Sequence, residues 1–155
     1  MNFYLGEFEV AMDAKGRFMV PAAFRKQLPE GMSGAFVLKR GMEACLELYT
    51  KESWQKVQEQ LSMMNDFNPK VQKFKRLFLN GASLVELDSA GRLLVPKPLQ
   101  EYAGMSKELL FSAKGDKVEI WDRASYYEYM EEHTEELDSL ATEVWGDSFV
   151  NPFES

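Results

Sequence analysis

Apolar positions in this chain come in short runs that stop and resume in a repeated rhythm. Val10-Ala11-Met12 ends at Asp13, and after Ala14-Lys15-Gly16-Arg17 the apolar run resumes as Phe18-Met19-Val20 and closes at Pro21. The pattern returns as Val85-Glu86-Leu87, Asp88-Ser89-Ala90-Gly91-Arg92, Leu93-Leu94-Val95 and Pro96, at a constant offset of 75 residues. The match extends backwards without a gap, pairing Gly6 with Gly81 and Phe3 with Phe78. Forwards, past small gaps, Leu46-Glu47-Leu48-Tyr49 falls on Val118-Glu119-Ile120-Trp121, and Ser53-Trp54 on Ser125-Tyr126. Self-similarity of this kind fixes the architecture before any propensity is read. The chain is a tandem duplication.

Each copy predicts the same local structure. An extended run stops at an Asp able to cap the following backbone amides, Gly supplies a positive φ, and a second extended run leads away. This is a hairpin tip carrying an Arg just past its Gly. Val-Pro then ends the strand and presets a short helix, expected in the first copy over Pro21 to Leu28 with Phe24 and Leu28 facing inward. Residues Phe3 to Met12 read as a strand broken at Gly6, and Phe36 to Lys39 with Leu46 to Tyr49 as two more strands around Gly41. Thr50 is a good N-cap for a helix that puts Trp54, Val57, Leu61 and Met64 on one face. Asn68 caps a second helix with Pro69 at its first position, an apolar stripe of Val71, Phe74, Leu77 and Phe78, and a basic run of Lys70, Lys73, Lys75 and Arg76 beside it. The closing helix is expected to start at Asp122, to run through Tyr126, Tyr129, Met130, Leu137 and Leu140, and to give way to Trp145, Phe149 and Phe153.

Two tips of the form Asp-x-x-Gly-Arg, each followed by an apolar-Val-Pro close, resemble the MraZ family of bacterial transcriptional regulators, and the resemblance spans Phe3 to about Tyr127. It implies a mixed α+β fold: two tandem swapped-hairpin repeats of the AbrB type forming one pseudo-twofold, double-ψ-like β-barrel unit with peripheral helices. The expected division is residues 1–54 for the first repeat, 55–77 for connecting helices, 78–127 for the second repeat and 128–155 for an acidic helix and aromatic tail. The resemblance also implies a homo-oligomeric ring, an octamer or larger, binding direct repeats of double-stranded DNA in the promoter of a cell-division and cell-wall operon.

Charge sharpens this picture. A net charge of −7 argues at first against nucleic acid. The nine acids from Glu128 onward have no Lys or Arg among them, however, so residues 1–127 hold 16 acids against all 18 basic groups. Between Asp13 and Arg40 lie Lys15, Arg17, Arg25, Lys26, Lys39 and Arg40 against only Asp13 and Glu30, an excess able to track phosphates. The residues expected to contact DNA are Arg17, Lys15, Arg92, Arg25 and Lys26, with Asp13, Gly16, Asp88 and Gly91 shaping the turns. An Arg at the tip can bind a guanine edge bidentately, and Lys15 can hold phosphate. The competing structural reading is a local Asp13–Arg17 and Asp88–Arg92 bridge that merely closes each hairpin, worth at most about 1 kcal/mol when exposed. The second copy has Ser89-Ala90 where the first has Ala14-Lys15, which makes the DNA role of Arg92 the weaker of the two.

Other chemistry finds little support. The chain lacks a phosphate-binding loop, a nucleophile elbow and a zinc-protease motif. The sole cysteine, Cys45, excludes a disulfide framework and is expected to be a small apolar filler in a strand. Lone His133 sits among glutamates as a solvated helix residue. No enzyme activity, metal, cofactor or small-molecule substrate is expected. Neither a membrane span nor a signal peptide is evident, so a cytoplasmic, nucleoid-associated protein is expected. The alternatives are an antitoxin-like regulator of related fold whose acidic aromatic tail wraps a toxin, a ring scaffold without DNA function and, remotely, a hydrolase using a divalent cation held by Glu131, Glu132, Glu135 and Glu136.

Overall fold

In a computed structural model, described for residues 3–32 and 34–146, the two repeats exchange strands. The chain divides into two compact units, Met1–Arg123 and Ala124–Ser155. In the first unit, strands β1 (Tyr4–Ala11), β2 (Arg17–Met19), β3 (Ala35–Arg40) and β4 (Leu46–Thr50) come from the first repeat, with helix α1 (Ala22–Arg25) between β2 and β3. Helices α2 (Lys51–Ser62) and α3 (Pro69–Phe78) follow. The second repeat then supplies β5 (Ser83–Glu86), β6 (Arg92–Leu94), α4 (Lys97–Tyr102), β7 (Glu108–Gly115) and β8 (Lys117–Asp122).

The main sheet has the order β1-β7-β8-β4-β3-β5, and β2 pairs with β6 in a separate ribbon. This order is symmetric about its centre, where β4 meets β8 in the register Leu46↔Ile120 and Leu48↔Val118. The first strand of each repeat lies on the third strand of the other: β1 on β7, from Tyr4↔Gly115 to Ala11↔Glu108, and β5 on β3, from Ala35↔Glu86 to Leu38↔Ser83. That exchange is the swapped-hairpin arrangement. Among the described residues the expected barrel does not close by strand pairing. β1 and β5 remain the two edges, because the short strands that follow each of them pair with one another instead.

The exchange follows from size. A repeat of about 50 residues buries too little apolar surface to offset the entropy of ordering its chain. The single core draws evenly on both repeats, with Phe18, Val20, Phe24, Phe36, Leu38 and Leu46 from one and Leu93, Val95, Leu99, Leu109, Phe111 and Ile120 from the other. Phe111 is its aromatic centre, with the rings of Phe24 and Phe18 at 5.1 and 6.1 Å.

Several local expectations meet a tertiary correction. β1 does not break at Gly6: that residue pairs with Ala113, and the Phe8 ring lies over it where a side chain would stand. α1 is a single turn ending at Arg25, with Phe24 buried and Leu28 packed at the edge of the core. Cys45 is buried as expected, but in the bend before β4, and burial pushes its thiol up to about 12. Lys39, expected among the phosphate-tracking cations, is 1% exposed. Its ammonium lies 3.4 Å from Glu47 and 4.1 Å from the centre of the Phe78 ring. Strand alternation puts it on the sheet face opposite the core residues Phe36 and Leu38, beside the Glu47 carboxylate that also binds Lys117 at 2.9 Å. Arg40 stacks its guanidinium over Tyr102, 5.0 Å from the ring centre.

The caps form as their chemistry dictates. Thr50 Oγ1 accepts the Ser53 amide at 3.0 Å, and Asn68 Oδ1 accepts the Lys70 amide at 2.9 Å. Along α2 only Ser53 and Leu61 are buried, and Trp54 rests edge-on against Tyr49 at 5.2 Å. α3 buries none of its residues within the subunit, and Phe74 and Leu77 are exposed.

After β8, helix α5 (Arg123–His133), a 3-10 turn (Thr134–Glu136) and helix α6 (Leu137–Trp145) replace the single closing helix that the periodicity predicts. His133 lies against Glu136 and the Tyr129 ring. The expected roles of Phe149 and Phe153 fall outside the described residues.

Candidate nucleic-acid interface

The two tips are built from the same hydrogen bonds. In the first, Asp13 Oδ1 accepts the Lys15 and Arg17 amides, each at 2.9 Å, and Oδ2 accepts Arg17 Nε at 2.9 Å. The Gly16 amide donates to the Asp13 carbonyl at 3.0 Å. In the second, Asp88 Oδ1 accepts the Ala90 and Arg92 amides at 2.9 and 2.8 Å, and Oδ2 accepts Arg92 Nε at 2.8 Å. Gly16 and Gly91 take φ of +86° and +85°, where a side chain is strained. Hydrogen bonds from the Arg17 backbone, then from its guanidinium and from Lys15, hold the Asp13 carboxyl below the usual aspartate range, and Arg92 does the same for Asp88.

The bridge that would make these tips merely structural is therefore present, and it is compatible with recognition. Asp13 and Asp88 grip their arginines through Nε, the inner edge of the guanidinium. That grip fixes the fork while leaving the terminal amino groups, the pair that fits a guanine O6/N7 edge, outside these bonds.

The fold sets the tips side by side. β2 and β6 pair as Arg17↔Leu94, Phe18↔Leu93 and Met19↔Arg92. Residues opposite one another in an antiparallel pair share a face, and faces alternate along each strand. Phe18 and Leu93 go to the core at 1% and 0% exposure, so Arg17, Met19, Arg92 and Leu94 share the outer face. The pair is locked from both sides, because the Val95 amide donates to the Gly16 carbonyl at 2.9 Å and the Val20 amide to the Gly91 carbonyl at 3.1 Å. Each tip is thus held by the strand end of the other repeat.

A second exchange joins the tips to their helices. Arg25 and Gln100 occupy the same position in their repeats, 75 residues apart, and each reaches the other repeat's tip. A Cβ built on Gly91 would stand 2.9 Å from Arg25 Nη1, and one on Gly16 would stand 2.3 Å from Gln100 Nε2. Gln100 Nε2 also donates to the Val95 carbonyl at 2.8 Å. The second tip, which lacks a lysine of its own, thereby gains the guanidinium of Arg25, while the first has Lys15 and a neutral amide. Lys26 is exposed where α1 ends, and among the described residues no hydrogen bond or ion pair joins its side chain to either tip. Sequence reasoning missed Gln100, Met19 and Leu94. Reading the 75-residue offset through to the helices pairs Gln100 with Arg25, and strand alternation in the ribbon exposes the other two.

Comparison with known proteins places both repeats in one family. A family model described as "MraZ protein, putative antitoxin-like" matches residues 3–77 and 78–145, one match for each repeat. A protein of Christiangramia forsetii named transcriptional regulator MraZ is 42% identical over 143 residues, 92% of each chain. Proteins of the same name from Cytophaga hutchinsonii and Flavobacterium psychrophilum are 38% and 36% identical, covering 91% and 94% of this chain and 93% and 94% of their own. With both repeats matched and nearly the whole length covered, the chain belongs to the MraZ family.

Proposed function

We propose that this protein is a sequence-specific DNA-binding transcriptional regulator whose paired tips read duplex DNA at direct repeats in the promoter of a cell-division and cell-wall operon. The observation that carries this reading is the β2–β6 ribbon, which puts Arg17 and Arg92 on one outer face with both guanidinia oriented by buttressed aspartates. Lys15 at the first tip and Arg25 at the second supply the cations for phosphate contact. Curated relatives that share over a third of its residues carry the name of transcriptional regulators.

Assembly into a ring of identical subunits belongs to the same reading. The exposed apolar residues Phe74 and Leu77 on α3 and Leu84 on β5 offer a surface for a second copy. Repetition of a weakly basic tip around a ring compensates by avidity for an acidic chain. Phe74→Glu, and a charged replacement of Trp54, which rests edge-on against Tyr49, should each lower the mass measured by light scattering.

The deciding experiment is titration of the duplex upstream of the protein's own coding region with folded wild-type and Arg17→Ala proteins. Near-complete loss of binding is expected at moderate salt. Affinity within about twofold of wild type would return the tip to a purely structural role.

A further inference from the structure

The reading face carries two apolar side chains that phosphate binding does not require. Met19 is 46% exposed and Leu94 53% exposed, on a ribbon whose other outward residues are arginines. They occupy the same position in their repeats, 75 residues apart, and each stands directly across from the other repeat's Arg: Leu94 beside Arg17, Met19 beside Arg92. Met19 Sδ lies 3.5 Å from where a Cβ on Gly91 would stand, so this side chain sits at the second tip.

The charge around them selects the occupant. The face carries Arg17 and Arg92, Arg25 reaches the second tip and exposed Lys15 lies in the turn of the first, while Asp13 and Asp88 are turned onto their own arginines. A second copy applied to this face through the same symmetry would set arginine against arginine. A DNA major groove offers the complement: phosphates at its rim, guanine O6 and N7 as acceptors, and one apolar group on any base edge, the 5-methyl of thymine. The groove is wide enough to admit a two-stranded β-ribbon.

We propose that Met19 and Leu94 are specificity-determining residues that bury thymine 5-methyl groups beside the guanines bound by Arg92 and Arg17. The inference rests on the DNA-binding reading above. It adds a second chemical requirement to the target, thymine next to guanine, at positions related by the pseudo-twofold of the ribbon.

The test compares two duplexes of the sequence upstream of the protein's own coding region, one natural and one with deoxyuridine at every thymine. Uracil keeps the O4 acceptor and loses only the methyl. Wild-type protein should bind the deoxyuridine duplex more weakly, by roughly fourfold for each methyl buried. The Met19→Ala, Leu94→Ala double variant should bind both duplexes equally, at about the wild-type affinity for the deoxyuridine form. Equal wild-type affinity for the two duplexes overturns the inference and leaves DNA binding standing, and this comparison needs no variant that has to fold. A double variant that keeps the wild-type discrimination but loses oligomer mass would assign the face to a second copy and overturn it too. Binding to neither duplex removes the DNA reading and this inference together.

Discussion

The two tips have backbones that match bond for bond and surroundings that differ. Both use an Asp to bind two amides and one Arg Nε, and both turn at a Gly with φ near +85°. The first carries its own lysine and is braced by neutral Gln100, whereas the second has alanine in that place and borrows Arg25 from the other repeat. Duplication copied the turn chemistry, which is local. The swap then let each tip's surroundings be completed by the other half of the chain, with a neutral amide at the first and a guanidinium at the second, so the two sites are free to diverge without losing their shape.

The largest effect should come from separating the halves. A chain ending near Asn65 would lose β6, which holds the first tip, and β7, which pairs with all of β1. It is expected to be unfolded or aggregated; a monomeric first half with well-dispersed NMR signals would show that the first tip needs no partner.

Next in size is loss of the arginines. Arg17→Ala should cost about 1–3 kcal/mol per engaged subunit and relax sequence preference, compounding in an oligomer to near loss of binding. Because Arg25 completes the second tip, Arg92→Ala should cost about as much. A difference above tenfold in measured affinity would break the equivalence of the tips.

The turn glycines sharpen the comparison through stability. Gly16→Ala and Gly91→Ala each force a side chain to positive φ, at roughly 1–3 kcal/mol. The Cβ at 16 would also displace Gln100 from the Val95 carbonyl, and it faces that backbone oxygen at 3.3 Å, whereas at 91 it meets only side-chain ends, Arg25 Nη1 at 2.9 Å and Met19 Sδ at 3.5 Å. Chemical denaturation should therefore find Gly16→Ala the more destabilised.

Smaller still are the effects at the phosphates. Lys15→Ala should weaken binding to all sequences alike and flatten the salt dependence by about one unit of slope for each phosphate left without its cation. Arg25→Ala should do the same from the other side of the pseudo-twofold; an unchanged slope would show that the borrowed cation serves the fold and not the DNA.

The smallest difference should appear on acidification. Asp13 and Asp88 both have carboxyls held below the usual aspartate range, chiefly by the Arg17 and Arg92 amides. Their contribution is therefore complete above the unfolded aspartate pKa and is lost as pH falls through the lower folded value. The two carboxyls should titrate together in an NMR pH series, and a wide separation would mean that their different neighbours reach the aspartates themselves.

What the sequence determined by itself was whatever depends on near neighbours. The duplication, the Asp-capped turns, the glycines at positive φ and the caps at Thr50 and Asn68 are all set within a few residues, where hydrogen-bonding groups and backbone freedom leave one good arrangement. The tertiary structure alone decided which strand pairs with which. A pattern of alternating apolar residues states that β1 must be covered and does not say that β7 covers it. The same pairing turned Lys39 from an expected DNA cation into a buried partner of Glu47, laid Arg25 over Gly91 and exposed Met19 and Leu94 beside the arginines. Those outcomes depend on pairings between residues far apart along the chain, and such pairings are selected by how well two halves share one core, a quantity that no local window contains.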